Sequence, residues 1–453
     1  MHKESRTVAF LTLGCKVNQY ETDGMAQLLE KAGYRVVTLE EGADVTIVNT
    51  CAVTNIAERK SRQMMRRAKE KNKNTVLVAA GCYIQNVENT LEELPEVDLF
   101  LGNNQKNHIV AFLEEYFQNQ QRCNHRIDVN HTSEYEEFSI GATREHTRAY
   151  VKIQDGCNQF CSYCIIPYVR GRVRSRELED IIKEVEQLAT EGYREIVLTG
   201  IHISSYGVDW KERQITLLTL LQRLQLVDGI ERIRLGSLEP SVITEEFVTG
   251  IAGLPKICPH FHLSLQSGCD ATLKRMNRHY TTAQYQKKCE LLRQQYGNPA
   301  LTTDVIVGFP GETEEEFEAT CDFLEKLNLY EMHVFKYSIR EGTNAARMPA
   351  QVDGNEKHKR SERLLAMTRQ QKKRFEEEFI GTEEEILIEE EKQIGGNLYY
   401  VGHTRHYLNV AVPKELFEES EKPFGKCFLG KIDGHLEEGW LNISQIRLGE
   451  EFS

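Results

Sequence analysis

Residues 157–164 read Cys-Asn-Gln-Phe-Cys-Ser-Tyr-Cys, which sets three thiols at the spacing C-x3-C-x2-C. A fourth cysteine is not within reach along the chain, since Cys123 lies well before this stretch and Cys258 well after it. Three thiolates on one loop can hold three irons of a 4Fe–4S cube, and a fourth would close the cluster. With three, one iron keeps an open position, and an open position at a metal site is where a small ligand binds. The spacing points to an iron–sulfur cluster that works on a ligand. A zinc site would need four nitrogen or sulfur ligands, and no histidine stands at the usual offset after Cys164. A disulfide would leave one thiol over. Asp155-Gly156 before the loop allows a tight turn, and Ile165-Ile166-Pro167 ends it.

The elements that must position this loop form an α/β series starting near residue 148. Tyr150-Val-Lys-Ile is a strand that leads into the loop. Leu178–Thr190 is an amphipathic helix closed by Gly192, and Glu195–Gly200 is the next strand. Further strands are expected at Ile230–Leu235, His260–Leu265, Leu301–Val307 and Met332–Tyr337. This many β/α units predicts a partial or complete parallel barrel, with its chemistry at the C-terminal ends of the strands.

Upstream, one pattern occurs three times. The strand-like runs 7–15, 44–51 and 75–82 each end in a cysteine, and helical patterns follow them. Such units predict a parallel sheet whose strand ends share one edge, where ligands bind. Any one of Cys15, Cys51 and Cys82 alone would more often be a core cysteine. All three at one topological position argue for a second three-thiolate cluster.

The chain has 453 residues, 28% of them charged and 40% hydrophobic, which suits two to four domains. No apolar run is long enough to span a membrane, and the first residues lack the apolar region of a signal peptide. The expected location is cytoplasmic, where the 12 cysteines stay reduced. Cys123, Cys258, Cys269, Cys289, Cys321 and Cys427 are expected to be structural. A net charge of −13 counts against nucleic-acid binding, although local patches decide it. The basic stretch Arg59–Lys73 is either a solvated helix face or a phosphate-contacting one. Residues 116–147 are polar and aperiodic and read as a linker. Four arginines, Arg170, Arg172, Arg174 and Arg176, follow the cysteine loop and fit an anionic substrate, with pairing to Glu177 and Glu179 as the alternative. From about residue 381, short strands at Glu385–Ile388, Leu398–Gly402, Tyr407–Val412 and Lys426–Ile432 predict a small antiparallel barrel of the type often used for RNA. Tyr399, Tyr400, His403, His406 and Tyr407 are its candidates for stacking on bases, with core packing as the alternative.

Taken together, these residues resemble the radical S-adenosylmethionine methylthiotransferases. The resemblance is carried by Cys157-x3-Cys161-x2-Cys164, by Thr12-Leu-Gly-Cys15, Asn49-Thr-Cys51 and Gly81-Cys82, and by Ile165–Gly171, Arg174-Ser-Arg176, Ser264–Gly268, Leu273–Arg278 and Gly308–Glu312. The terminal barrel resembles the TRAM domain. The first motif, Thr12–Thr22, is most similar to the branch that modifies threonylcarbamoyladenosine in tRNA. The resemblance implies an N-terminal parallel α/β domain at 1–118 with an auxiliary cluster, a linker at 119–145, a radical-SAM partial (β/α) barrel at 146–375 and a TRAM-like RNA-binding barrel at 376–448. It implies two 4Fe–4S clusters, one on Cys15, Cys51 and Cys82, the other, catalytic, on Cys157, Cys161 and Cys164. Ser264, Gly268, Gly308 and Glu312 are implied to line the S-adenosyl-L-methionine site. The implied reaction puts a methylthio group on C2 of the adenosine at position 37, in the anticodon loop of tRNA. A 5′-deoxyadenosyl radical takes the C2 hydrogen, the auxiliary cluster supplies sulfur, and a second S-adenosylmethionine supplies the methyl group. An electron donor such as flavodoxin or ferredoxin is implied, and no membrane.

Two readings compete with this one. The target could be isopentenyl-adenosine in tRNA or an aspartate of a ribosomal protein. From another class, the chain could be a non-catalytic iron–sulfur RNA-binding sensor, which would bind iron without cleaving S-adenosylmethionine.

Overall fold

The computed structural model describes residues 5–88, 90–138, 147–418 and 422–448. Its first unit is a fully parallel sheet of β1 (Thr7–Thr12), β2 (Arg35–Val36), β3 (Val45–Thr50), β4 (Val76–Gly81), β5 (Leu99–Leu101) and β6 (Cys123–Asn124), in the order β2-β1-β3-β4-β5-β6. Every residue of β3 and β4 is buried, as near-continuous apolar runs in a parallel sheet require. Helices α1 (Lys16–Lys31), α2 (Asn55–Lys71) and α3 (Cys82–Asn86) follow β1, β3 and β4. Those three strands are direct neighbours and run the same way. Their carboxyl ends therefore deliver Cys15, Cys51 and Cys82 to one stretch of sheet edge.

Part of the stretch expected as a linker is built into this unit. β6 pairs with β5, and Val129 and Phe138 are buried. The Phe138 ring meets Tyr20 of α1 edge-on at 6.3 Å. Isolated apolar residues make these contacts, so they leave no periodic trace in the sequence. The rest of the expected linker, 139–146, lies outside the described residues.

The central unit contains β7 (Arg148–Asp155), β8 (Arg174–Ser175), β9 (Glu195–Gly200), β10 (Arg232–Leu235), β11 (His260–His262), β12 (Ala300–Val307) and β13 (Glu331–Lys336). β10, β9 and β7 are parallel neighbours with antiparallel β8 at the edge, and β11, β12 and β13 form a second parallel group. Single bridges, Ile233 to Ile257 and Leu238 to Leu263, join the groups. The result is a partial barrel. Helices 178–190, 217–224, 245–252, 282–296 and 314–327 contribute buried residues to one core that also takes Val151, Ile196, Leu235 and Val305 from the strands.

The last unit is a closed barrel of β14 (Glu383–Ile394), β15 (Asn397–Thr404), β16 (Asn409–Pro413), β17 (Cys427–His435) and β18 (Leu441–Leu448). Its pairs are antiparallel except β16 with β18, which is parallel. Its core continues into Tyr330, Phe375 and Phe379.

The turn between β15 and β16 seats this barrel on the central one. Arg232 donates to the His403 carbonyl at 3.2 and 3.3 Å, and Arg234 donates to those of Thr404 and Arg405 at 3.3 and 3.1 Å. Arg148 donates to the Tyr407 hydroxyl at 3.1 Å. This corrects the stacking expectation for several aromatics. Tyr407 lies between His403 at 4.5 Å and His260 at 4.9 Å, with Arg234 over its ring. His406 meets Glu384 at 3.2 Å and the Phe379 ring at 4.7 Å, and Tyr400 is buried in the barrel core. Tyr399 is partly buried against a small cluster with Ile394 and Val401. Tyr400 is buried, and His403, His406 and Tyr407 are half-buried with their rings engaged by protein neighbours, so these four are used for packing.

Candidate iron–sulfur centres

Two conditions bring the strand-end thiols together. The first is close approach of backbone. Gly14 has φ +105°, and a Cβ there would lie 3.0 Å from Cys51 Cβ and 3.1 Å from its Sγ. Gly81 has φ +95°, and a Cβ there would lie 2.6 Å from Asn49 Oδ1. Glycine alone lets the chain turn this tightly before Cys15 and Cys82. The second is a pair of buried asparagines. Asn18 donates to the Leu13 and Thr50 carbonyls at 2.6 and 3.0 Å, and Asn49 donates to the Asn18 carbonyl at 2.9 Å. They tie the end of β1 to the end of β3. Cys15 precedes the first turn of α1 and Cys82 opens α3, so helix amino termini face the thiols, where negative charge is favoured.

The second triad follows β7 directly. Gly156, at φ +71°, makes the turn, and a Cβ there would run into the Arg172 carbonyl. The loop is pinned from several sides. Cys157 N–H donates to the Gly171 carbonyl at 3.0 Å, and Ser162 N–H and Oγ donate to the carbonyls of Met276 and Arg275 at 3.0 and 2.8 Å. Asn277 donates to the Phe160 carbonyl at 3.0 Å. Arg278 donates to Cys161 Sγ at 3.2 Å and is held by Glu239 at 2.5 Å.

The thiols suit clusters. Among the described residues no three His, Cys, Asp or Glu side chains are gathered to hold a single metal ion. A cube spreads its thiolates over separate irons, so a triad more open than a one-ion site is what it needs. Burial pushes the Cys51 and Cys157 thiols up to about 11 and Cys164 up to about 12, with neighbouring cysteines adding to the rise. These thiols keep their protons until metal displaces them.

Between the triads lies a buried charge network that the sequence reading missed. Glu21 of α1 receives Lys106, Lys152 at 2.8 Å and Arg170 at 2.5 Å, all with fully buried side chains. Burial alone would raise the Glu21 carboxyl, but these three cations hold it well below the usual carboxylate range. Lys152 and Arg170 also meet Asp155, two residues before Cys157, at 2.7 and 3.1 Å. A signal was present: Lys152 and Asp155 are charges in a strand run, 149–155, that also holds Ala149, Tyr150, Val151 and Ile153. The expectation that Arg170, Arg174 and Arg176 meet an anionic substrate is corrected here. All three are buried, and Arg176 is taken up by Glu137 and Glu184. Of the four, Arg172 is exposed, with its guanidinium 4.5 Å over the Phe160 ring.

The other expected site residues divide. The Ser264 carbonyl accepts from Tyr280 at 2.7 Å and Arg278 at 3.3 Å, which places it beside the Cys161 partner. Gly268 faces the helix 314–327, where a Cβ would lie 2.9 Å from Thr320 Cα. Glu312 closes its own loop by accepting from the N–H groups of Gly308 and Phe309 at 2.8 and 3.0 Å, and it pairs with Arg360 at 3.0 Å. Gly268 and Glu312 thus shape the strand-end loops.

A partial barrel with a three-cysteine loop after its first strand defines the radical SAM class. The profile of the Radical SAM superfamily matches residues 151–324, and that of "Uncharacterized protein family UPF0004" matches residues 7–102. The radical SAM methyltransferase TsrM from Kitasatospora setae, solved with tryptophan and a SAM analogue, superposes with a TM-score of 0.55 over 73% of each chain at 17% identity. That likeness concerns the fold. In sequence, the chain is 42% identical to the threonylcarbamoyladenosine tRNA methylthiotransferase MtaB of Bacillus subtilis, over 94% of this chain and 93% of that one. It is 39% identical to the MtaB of Aquifex aeolicus, over 85% and 94%. It is also 39% identical to the tRNA-2-methylthio-N(6)-dimethylallyladenosine synthase of Thermoanaerobacter pseudethanolicus, over 83% and 81%. The chain belongs to the tRNA methylthiotransferase family of radical SAM enzymes.

Proposed function

We propose that this protein inserts a methylthio group at C2 of N6-threonylcarbamoyladenosine at position 37 of tRNA, giving 2-methylthio-N6-threonylcarbamoyladenosine. The observation that carries this reading is the pair of separate three-thiol triads, in a chain aligned with an MtaB over more than nine-tenths of both lengths. Cys157, Cys161 and Cys164 hold one 4Fe–4S cluster and Cys15, Cys51 and Cys82 the other, within units 146–375 and 1–118, and unit 376–448 grips RNA. When bound, the first cluster with S-adenosylmethionine supplies the radical, and the second supplies sulfur.

The protein's own residues hold and orient. Arg278 and the carbonyl contacts of 275–277 fix the Cys157–Cys164 loop, while Ser264 and Gly308 bound the cofactor's side of the barrel mouth. α2 docks beside that mouth, with Asn55 N–H donating to Ser338 Oγ at 3.2 Å and Arg340 donating to Asn55 Oδ1 at 2.6 Å. Val53, Ile56, Phe335 and Ile339 are exposed around this junction, an apolar rim against which a flipped adenine can lie and shed water. Arg59, Lys60, Arg66 and Lys71 of α2 are exposed beyond it and meet phosphates. No helix of the described residues is long and apolar enough to cross a membrane. The protein works in the cytoplasm with a small one-electron donor such as flavodoxin or ferredoxin.

The test is nucleoside analysis of tRNA from a strain lacking the gene. The expected result is loss of 2-methylthio-N6-threonylcarbamoyladenosine and its return with the gene. The dimethylallyladenosine synthases at 39% identity support a second reading, in which 2-methylthio-N6-isopentenyladenosine disappears instead. A further expectation concerns RNA grip. Reversing Arg59 and Lys60 to glutamate weakens tRNA binding and flattens its dependence on log salt by roughly one to two units. A salt slope equal to that of the unaltered protein removes α2 from the interface.

A further inference from the structure

We propose that Arg170 positions Cys82 and sets the reduction potential of the cluster held by Cys15, Cys51 and Cys82, an inference that rests on the assignment of that cluster. Arg170 comes from the segment leaving the other triad's loop, yet its guanidinium lies at the strand-end triad. It donates Nε–H to Cys82 Sγ at 3.3 Å. Its other donors are committed: Nη1 goes to Glu21 at 2.5 Å and Asp155 at 3.1 Å, and Nη2 to Asn18 at 2.6 Å and Glu21 at 3.1 Å. The side chain is fully buried, so no edge is left for a phosphate or a substrate.

The anchors fix the direction of the Nε–H. Glu21 and Asn18 belong to the helix that starts after Cys15, and Asp155 belongs to the strand that ends before Cys157. Asn103 adds a weaker contact from Nδ2 to the same Cys82 sulfur at 3.6 Å. The charge count has the right sign. Glu21 and Asp155 face Lys106, Lys152, Arg170 and Arg174, the last 3.9 Å from Asp155, while Glu136 accepts from the Lys106 backbone N–H. Even with Glu136 counted as ionised, these buried groups carry one positive charge in surplus. Three thiolates on an oxidised 4Fe–4S core carry one negative charge, and reduction adds another. A buried cation with an N–H on a ligand sulfur favours the reduced state, and hydrogen bonds to cluster sulfurs are a known control of potential.

The experiment uses full-length protein in which Cys157, Cys161 and Cys164 are all alanine, so that one cluster remains. Its midpoint potential is read by dithionite titration with electron paramagnetic resonance, beside iron content. Arg170→Gln is expected to lower the midpoint by at least about 59 mV, a tenfold loss of reduced cluster at fixed potential. Arg170→Lys, which keeps the charge and loses the Nε–H, is expected to fall between. Unchanged midpoints in both variants with full iron content overturn the proposal. If Arg170→Gln does not fold or load, Arg170→Lys decides alone, and a midpoint equal to its parent's overturns it. If the parent itself binds no cluster, the assignment of Cys15, Cys51 and Cys82 fails, whatever Arg170 does.

Discussion

Cys161→Ala is expected to abolish 5′-deoxyadenosine formation from S-adenosylmethionine and to leave about four of about eight irons bound. The loop around Cys161 is held by the carbonyls of Arg275 and Met276 and by the Asn277 side-chain amide, independently of its thiol. The variant should therefore keep its fold and its other cluster. Cys82→Ala supplies the mirror image. It loses the strand-end cluster, keeps deoxyadenosine formation and yields no methylthiolated nucleoside. Cys82 is 4% exposed at the start of a short helix, and alanine is tolerated there as a helix former. Deoxyadenosine production by Cys161→Ala at the normal rate would overturn the radical assignment. Full iron content in Cys82→Ala would overturn the sulfur-donor assignment.

The second large effect is on stability. Glu21→Leu leaves Lys106, Lys152 and Arg170 facing one another without the carboxylate they share. Removing one partner of a buried ion group costs about 3–5 kcal/mol, because the remaining charges stay desolvated. In a unit of this size the melting midpoint falls on the order of 10 °C. A calorimetric scan of apo-protein checks it, and a shift below roughly 2 °C would show that the network is replaceable.

Most of the architecture could be read from the chain. Alternating strand and helix patterns marked the parallel sheet and the partial barrel, because buried parallel strands are apolar throughout. Cys15, Cys51 and Cys82 could be grouped because each ends a strand, and chain order alone puts such ends on one edge. What stayed hidden depends on contacts between distant segments. Arg170 looked like a contact for an anionic substrate because four arginines near a redox loop resemble an anion site. Only the fold shows that one of them crosses to Cys82. For Tyr407 and His403, stacking on bases and core packing both fitted the sequence, because an aromatic ring serves either use. The sequence could not show that their turn is covered by another domain. Gly268 and Glu312 stand at strand ends, where glycine and glutamate serve both binding and loop closure, and the sequence does not separate the two.

The arginine-lined seat of the β15–β16 turn bears on how modular this enzyme is. Arg232 and Arg234 share Glu195 in the base of the central barrel, at 2.9 Å each, and give their remaining donors to the carbonyls of residues 403–405. Cutting the chain before the last barrel would strip two buried guanidiniums of those acceptors and open the apolar faces of Tyr330 and Phe375 to water. The terminal barrel is thus not a detachable accessory, and the central barrel lacks a finished floor without it.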